Sequence, residues 1–171
     1  MLLRSLLVIT LAAASACSGG ASKRMADGKR WTTRNLEVAT VDSYCYEGSC
    51  GKYGRLFTWD AAKRACASLG DGWRLPTDDE WHQLSDHYGG GKAAYQSLML
   101  GGNSGFGALL GGGRDEGGQY ARSEAHGFYW TATEDGQGTA VFYNFAKGQL
   151  TLFRQDKGEK GRAFAVRCVE E

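Results

Sequence analysis

The chain has 171 residues, a length that fits one domain once a leader is removed. Its formal net charge is +1, which gives no electrostatic reason to expect a nucleic-acid partner. Aromatic residues make up 12% of the chain, enough for a packed core, which argues against a disordered chain. The chain also has 26 glycines and one proline, which predicts many tight turns and close backbone approaches.

Residues 1–17 have the pattern of an export leader. Arg4 supplies a positive charge, and the apolar run that follows is too short to span a bilayer as a stable helix. The run ends at Ala14-Ser15-Ala16-Cys17, which looks like the lipobox of bacterial lipoproteins. In such proteins the cysteine is acylated and becomes the mature N-terminus.

Lipidation of Cys17 implies that the membrane is a partner through a lipid anchor and that the protein is in the cell envelope. Because Ser18 rather than Asp follows, the outer membrane is the expected location. Residues 18–25 then predict a flexible tether, and the domain is expected over residues 26–171. The alternative is an ordinary secretory signal cleaved after Ala14 or Ala16. Either leader predicts export, which permits disulfides.

Two helices are predicted in the first half of the domain. Apolar residues at spacings of three and four predict a helix over residues 59–69, with Thr58 as its N-cap, and a second helix over about 78–88. Thr77 and Glu80 have the spacing of a capping box, which begins the second helix directly after Pro76. The stretch 70–81 is therefore interpreted as architecture. A short third helix is expected over residues 93–100.

The second half predicts an antiparallel meander. Strands are expected over residues 128–133, 140–145, 149–154 and 163–169. Between the helices and the strands, residues 101–118 are glycine-rich and predict an ordered excursion pinned by Phe106, Leu109 and Leu110. Helices followed by an antiparallel meander give an α+β layout.

Several ordered segments together resemble the Fibrobacter succinogenes major paralogous domain. The resemblance covers essentially all of the chain from Ala26 onward, and it rests on segments that include Asp27-Gly28-Lys29-Arg30-Trp31, Lys52-Tyr53-Gly54-Arg55-Leu56-Phe57-Thr58-Trp59, Gly72-Trp73-Arg74-Leu75-Pro76-Thr77, Gly105-Phe106-Gly107-Ala108-Leu109, Trp130-Thr131-Ala132-Thr133-Glu134 and Val166-Arg167-Cys168-Val169. The family is similar in fold to C-type-lectin-like domains and to the formylglycine-generating-enzyme group. It implies an exported protein, often a lipoprotein, and no established activity.

Four cysteines remain after Cys17, and four cysteines allow three pairings. Cys45 and Cys50 are close enough in the sequence to bridge a tight loop, which leaves Cys66 for Cys168. A bridge from a helix to the last strand is also what the lectin-like resemblance implies. The alternative is a zinc site, which the lack of a CxxC pair and the oxidising compartment disfavour.

The sequence predicts no catalytic residues, metal ligands or cofactor. His82 and His87 are five residues apart, so they do not share a helix face as a His-x-x-x-His pair does. Formylglycine-type chemistry uses two late cysteines, whereas Cys168 stands alone and is assigned to a disulfide. The calcium-site motifs of sugar-binding lectins are also absent, since the only proline is Pro76 and Trp130 is followed by Thr131-Ala132.

The leading interpretation is a lectin-like binding or surface-interaction module, with a glycan or protein as ligand. An enzyme related to the formylglycine-generating group or a structural cell-envelope protein is the alternative. Ligand contacts are expected on the late strands and the adjoining glycine-rich loop, because rigid scaffolds carry function on such surfaces. The candidate residues are Asp135, Tyr143, Asn144, Phe153 and Arg154.

Overall fold

The computed structural model describes residues 21–48 and 50–171, and these form an α+β domain. The expected leader, lipobox and Cys17 lie outside the described residues. Within them, the helices are α1 (Trp59–Ala67), α2 (Asp78–His87) and α3 (Gly91–Leu98). The strands are β1 (Ser22–Arg24), β2 (Arg30–Thr32), β3 (Ser43–Cys45), β4 (Arg55–Phe57), β5 (Gly113–Arg114), β6 (Tyr120–Ala121), β7 (His126–Gly136), β8 (Thr139–Ala146), β9 (Thr151–Glu159) and β10 (Val169–Glu170).

The predicted capping box begins α2. The Thr77 hydroxyl accepts the Glu80 N–H at 3.2 Å, and Glu80 Oε2 accepts the Thr77 N–H at 2.8 Å. Arg74 also donates to both Glu80 oxygens, each at 2.7 Å. Burial by itself raises the pKa of Glu80, but the hydrogen bonds from Arg74 and the Thr77 amide outweigh it and lower that pKa to about 2. By contrast, Thr58 occupies the N-cap of α1 without a side-chain capping bond.

The predicted meander is the sheet β7-β8-β9, and all its strand pairs are antiparallel. Strand β9 continues to Glu159, five residues beyond the predicted end of this strand at residue 154.

The last strand predicted over residues 163–169 does not join the meander as a continuous strand. It forms single bridges to Arg114, Phe57 and Tyr129, and only β10 pairs regularly, with β2. Every residue from 163 to 169 is buried, so this segment lies inside the domain and contacts several sheets in turn.

The domain begins earlier than expected. Strand β1 pairs antiparallel with β2, and Met25 is buried, so residues 22–25 belong to the fold instead of the predicted tether. The two ends of the domain therefore meet in one sheet, β1-β2-β10.

Aromatic side chains form the centre of the larger core. The Trp81 indole lies among Trp31, Phe106, Tyr129 and Tyr143, with ring centroids 5.2–5.7 Å apart. Phe106 is fully buried, which confirms that an apolar side chain pins the glycine-rich excursion.

Arg167 is fully buried and holds the glycine-rich segment against the start of the domain. Its guanidinium donates to the carbonyls of Phe106 and Gly107, each at 2.7 Å, and to the Thr32 carbonyl at 3.0 Å. It also donates to Asn35 Oδ1 at 2.9 Å. Burial lowers the pKa of Arg167, and among the described residues no carboxylate lies within ion-pair distance of it. Backbone carbonyls therefore stabilise this charge.

Both predicted disulfides are confirmed. Cys45 bridges to Cys50 within one loop, and Cys66 on α1 bridges to Cys168 beside β10. The helices of the described part of the chain include none that is long and apolar enough to cross a membrane.

Candidate functional site

The sheet β7-β8-β9 has one partly open face with several aromatic side chains. In the register, Phe128 lies opposite Asn144, and Asn144 lies opposite Phe153. Because side chains two residues apart share a face of a strand, His126 and Phe142 belong to the same face. We call these five residues the outer strip: His126, Phe128, Phe142, Asn144 and Phe153. Phe153 is 37% exposed, and the other four are half-buried.

Contacts within the outer strip orient its polar groups. The His126 ring stacks on Phe128, with centroids 5.5 Å apart and planes 14° apart. His126 Nδ1 lies 3.0 Å from Asn144 Oδ1 and donates to it. The second imidazole nitrogen of His126 and the amide nitrogen of Asn144 make no hydrogen bond with the residues that the structure describes. Phe128 and Phe142 also pack on the buried ring of Phe164, so Phe153 is the most exposed ring of the strip. The strip thus combines an exposed aromatic ring with polar groups that make no hydrogen bond within the described residues.

The opposite face of the same sheet is packed against α2, and it contains two of the predicted ligand residues. Tyr143 is buried and stacks on Trp81, so the expectation that it offers an exposed flat ring is wrong. Its hydroxyl donates to Asp78 Oδ1 at 3.2 Å. Burial chiefly, and then the Asp78 carboxylate, raise the pKa of Tyr143. The hydroxyl therefore stays protonated and serves as a link between sheet and helix.

Arg154 likewise faces α2. Its Nε donates to Asp78 Oδ2 at 2.8 Å, so its charge is paired at the first turn of that helix. Asp135 is the next-to-last residue of β7, and its carboxylate accepts the backbone N–H of Lys157 on β9. The structure thus brings together Asn144 and Phe153 of the five predicted residues and places the other three elsewhere.

The second half of the glycine-rich segment borders the outer strip. A Cβ built on Gly113 would lie 2.9 Å from Phe164 and 3.2 Å from Phe128. A side chain at this position of β5 would therefore clash with both rings. An open cleft of about 230 Å³ lies beside Gly113, and Phe128, Arg114 and Arg122 form part of its wall. The first half of the segment instead packs beside α3, where Gly102 donates to the Met99 carbonyl.

A larger open cleft of about 450 Å³ lies elsewhere, between Leu36, Val38 and Leu69. Its buried polar residues already have partners. Asn35 accepts from Arg167 and donates to the Tyr53 carbonyl, and the Thr32 hydroxyl accepts the Cys168 N–H. The outer strip is the better candidate for a ligand, because it joins uncommitted polar atoms to aromatic rings, whereas the described residues that line the larger cleft include no aromatic side chain.

Comparison with known proteins identifies the family. The family model described as the Fibrobacter succinogenes major domain matches residues 22–170. The chain belongs to this family. The match begins at the first residue of β1, in agreement with the early start of the domain. No curated protein and no solved structure matches the chain.

The histidines of this Fibrobacter succinogenes major domain do not assemble a metal centre. His82 pairs with Asp86 on the surface of α2, and His87 Nδ1 contacts the Gln83 carbonyl one turn earlier. Across residues 21–48 and 50–171, His, Cys, Asp and Glu form no group of three that could hold a metal ion.

Sequence reasoning missed three members of the outer strip, namely His126, Phe128 and Phe142. The alternation His126-Gly127-Phe128 was a usable signal, because residues two apart on a strand share a face. The register with β8 decides whether that face meets Asn144, and register is not visible in the sequence of one strand.

Proposed function

We propose that this protein is an exported, lipid-anchored member of the Fibrobacter succinogenes major domain family that binds carbohydrate through the outer strip. The observation that carries the proposal is the cross-strand row Phe128, Asn144 and Phe153, with His126 stacked on its edge. It combines aromatic rings with uncommitted amide and imidazole nitrogens on a rigid sheet.

A carbohydrate suits this combination of groups. A sugar ring has an apolar C–H face that packs on an aromatic ring, and hydroxyl groups at its edge that need directional hydrogen bonds. Phe153 offers its exposed ring beside Asn144, whose amide nitrogen donates to a hydroxyl. Phe128 lies on the other side of Asn144, where its ring packs against His126, Phe142 and Phe164. The strip is shallow, which suits an extended glycan better than a small enclosed metabolite.

Three features support an exported protein in the cell envelope, with the outer membrane as the proposed location. The leader has the lipobox pattern that ends at Cys17. Two disulfides fit an oxidising compartment. The family match, residues 22–170, begins after the leader and leaves it free for export.

We also propose a C-type-lectin-like fold for the domain. It is supported by the order of two main helices followed by the β7-β8-β9 meander, and by the disulfide between α1 and the last segment of the chain. Such a fold presents ligands on its late strands, which agrees with the proposed position of the outer strip.

The binding proposal is tested with a glycan and peptidoglycan array, probed with the full exported protein with and without calcium. A hit is then titrated by calorimetry against Phe153→Ala and Asn144→Ala, each expected to weaken binding about tenfold or more. The matched controls are Val41→Ala, an exposed apolar residue on another surface, and Asp79→Ala, an exposed polar residue of α2. Wild-type affinity in both folded strip variants would place the site elsewhere, and binding of protein but no glycan would refute a carbohydrate ligand.

The anchor is tested by mass spectrometry of the N-terminal peptide from protein extracted from membranes. Diacylated or triacylated Cys17 is the expected result, because two or more acyl chains give stable anchoring. An unmodified Cys17, or a mature chain that starts at Ser18, would contradict the lipid anchor.

A further inference from the structure

The two disulfides lie in different surroundings. Cys66 and Cys168 are fully buried in the core, whereas Cys45 and Cys50 are partly exposed in the loop between β3 and β4. A thiol reductant needs access to a sulfur atom to attack it. The loop disulfide alone offers that access in the folded protein.

An arginine side chain is directed at both sulfurs of the loop disulfide. Arg55 lies opposite Cys45 in the β3–β4 register, and its Nη1 is 3.3 Å from Cys45 Sγ and 3.4 Å from Cys50 Sγ. Two further bonds fix the guanidinium, from Nε to the Ser43 hydroxyl and from Nη2 to the Ser43 carbonyl, each at 3.0 Å. Among the described residues Arg55 has no carboxylate partner, so its charge remains directed at the sulfurs.

This arrangement favours the reduced pair over the disulfide. A disulfide sulfur is neutral and only a weak acceptor, whereas a thiolate at the same position gains a charge-assisted hydrogen bond and an ion pair. Because Nη1 is almost equidistant from the two sulfurs, either cysteine can leave as a thiolate beside the guanidinium.

The other charged groups near the loop are engaged elsewhere or exposed to solvent. Lys52 pairs with Glu124, and the Arg114 guanidinium lies over the Tyr44 ring, 3.9 Å from its centroid. Glu47 is exposed at the tip of the loop. Arg55 is therefore the cation that acts on the sulfurs.

We propose that Cys45–Cys50 is a thiol–disulfide exchange site, poised by Arg55 for reduction by a dithiol protein of the cell envelope. A reductant thiolate attacks one sulfur, forms a mixed disulfide and releases the other cysteine as a thiolate beside Arg55. The second reductant thiol then breaks the mixed disulfide. Two thiols of the reductant become one disulfide, and Cys45 and Cys50 each end as a thiol or thiolate.

The test uses the full exported protein, oxidised and folded, with dithiothreitol as the probe. Samples are quenched with isotopically labelled alkylating reagents, and peptide mass spectrometry follows each disulfide separately. Cys45–Cys50 is expected to open at least roughly tenfold faster than Cys66–Cys168, since the latter is buried. Arg55→Gln is expected to slow the opening of Cys45–Cys50 roughly threefold to tenfold, because the leaving thiolate loses its cation.

A pH profile separates the electrostatic role of Arg55 from a structural one. After selective reduction, alkylation of the Cys45 and Cys50 thiols is expected to have its midpoint below the ordinary thiol value of about 8.5, and Arg55→Gln is expected to move it upward. Arg24→Gln on β1 removes one charge from a different sheet and is the matched control, with an unchanged rate and midpoint expected.

An unchanged opening rate in folded Arg55→Gln would overturn the proposal, and so would a wild-type midpoint at or above the ordinary thiol value. If Arg55→Gln fails to fold, Arg55→Lys and the wild-type profile decide. The lysine variant keeps the charge, so it is expected to retain the low midpoint.

Discussion

The ring of Tyr143 stacks on the indole of Trp81, with centroids 5.2 Å apart and planes 16° apart. This contact joins the middle strand of the meander to α2, and the Tyr143 hydroxyl continues it to Asp78 at the first turn of the helix. The side of the sheet that carries Tyr143 is therefore a packing surface, whereas Asn144 and Phe153 on the opposite side are half-buried and exposed, respectively.

We expect Tyr143→Ala to lower the free energy of unfolding by about 3–5 kcal/mol, because it opens a cavity beside Trp81. Tyr143→Phe keeps the ring and loses only the bond to Asp78, so a cost of about 1 kcal/mol is expected. Urea denaturation followed by tryptophan fluorescence measures both. A folded Tyr143→Phe protein that has lost glycan binding would contradict the assignment of Tyr143 to the packed face.

Arg167→Lys is expected to lower the free energy of unfolding by about 2–4 kcal/mol. One ammonium group cannot replace a planar guanidinium that donates to Asn35 on one side and to Phe106 and Gly107 on the other, so buried carbonyls lose their partners. Chemical denaturation measures the loss. Arg122→Lys, at an exposed position, is the control. Equal denaturation midpoints for the two variants would show that the buried Arg167 guanidinium contributes nothing to stability.

The Glu80 carboxylate predicts a specific acid dependence of stability. Its folded pKa of about 2 is below the unfolded value of about 4.3, so its contribution is fully present above the unfolded value and is lost as the pH falls through the folded one. We expect this contribution to be roughly 1–3 kcal/mol. Thermal unfolding between pH 2 and 7 should show a shallower slope for Glu80→Gln than for wild type. Gln83→Ala, at an exposed position of the same helix that does not titrate, should leave the slope unchanged.

The two disulfides should contribute unequally to stability. Cys66 and Cys168 are 102 residues apart, for which the loss of chain entropy predicts about 4.7 kcal/mol, with typical values of about 2–4 kcal/mol. Cys45 and Cys50 are 5 residues apart and constrain the unfolded chain much less. Cys66→Ser should therefore lower the unfolding midpoint more than Cys45→Ser. The reverse order would mean that the short loop is the more important constraint.

Local signals in the sequence were sufficient for the two main helices, the capping box of α2 and the three strands of the meander. The Thr77–Glu80 capping box and the spacing of Trp81 and Leu84 depend on residues within one or two helical turns. They can therefore be predicted from the sequence without knowledge of the tertiary structure. The Cys45–Cys50 disulfide could be predicted for the same reason, because a separation of five residues keeps the two sulfurs near each other in most conformations of the loop.

Long-range pairing decided what the sequence could not. Period-two alternation shows that neighbouring residues of a strand face opposite sides, but it does not show which side meets another layer. Tyr143 and Asn144 are adjacent, yet Tyr143 packs on Trp81, while Asn144 faces outward beside Phe128. The buried role of Arg167 was equally hidden, because its four acceptors come from segments at least 60 residues away. The composition and local spacing of the chain thus determined the main helices and the long strands, and tertiary contacts alone determined which of their side chains are buried.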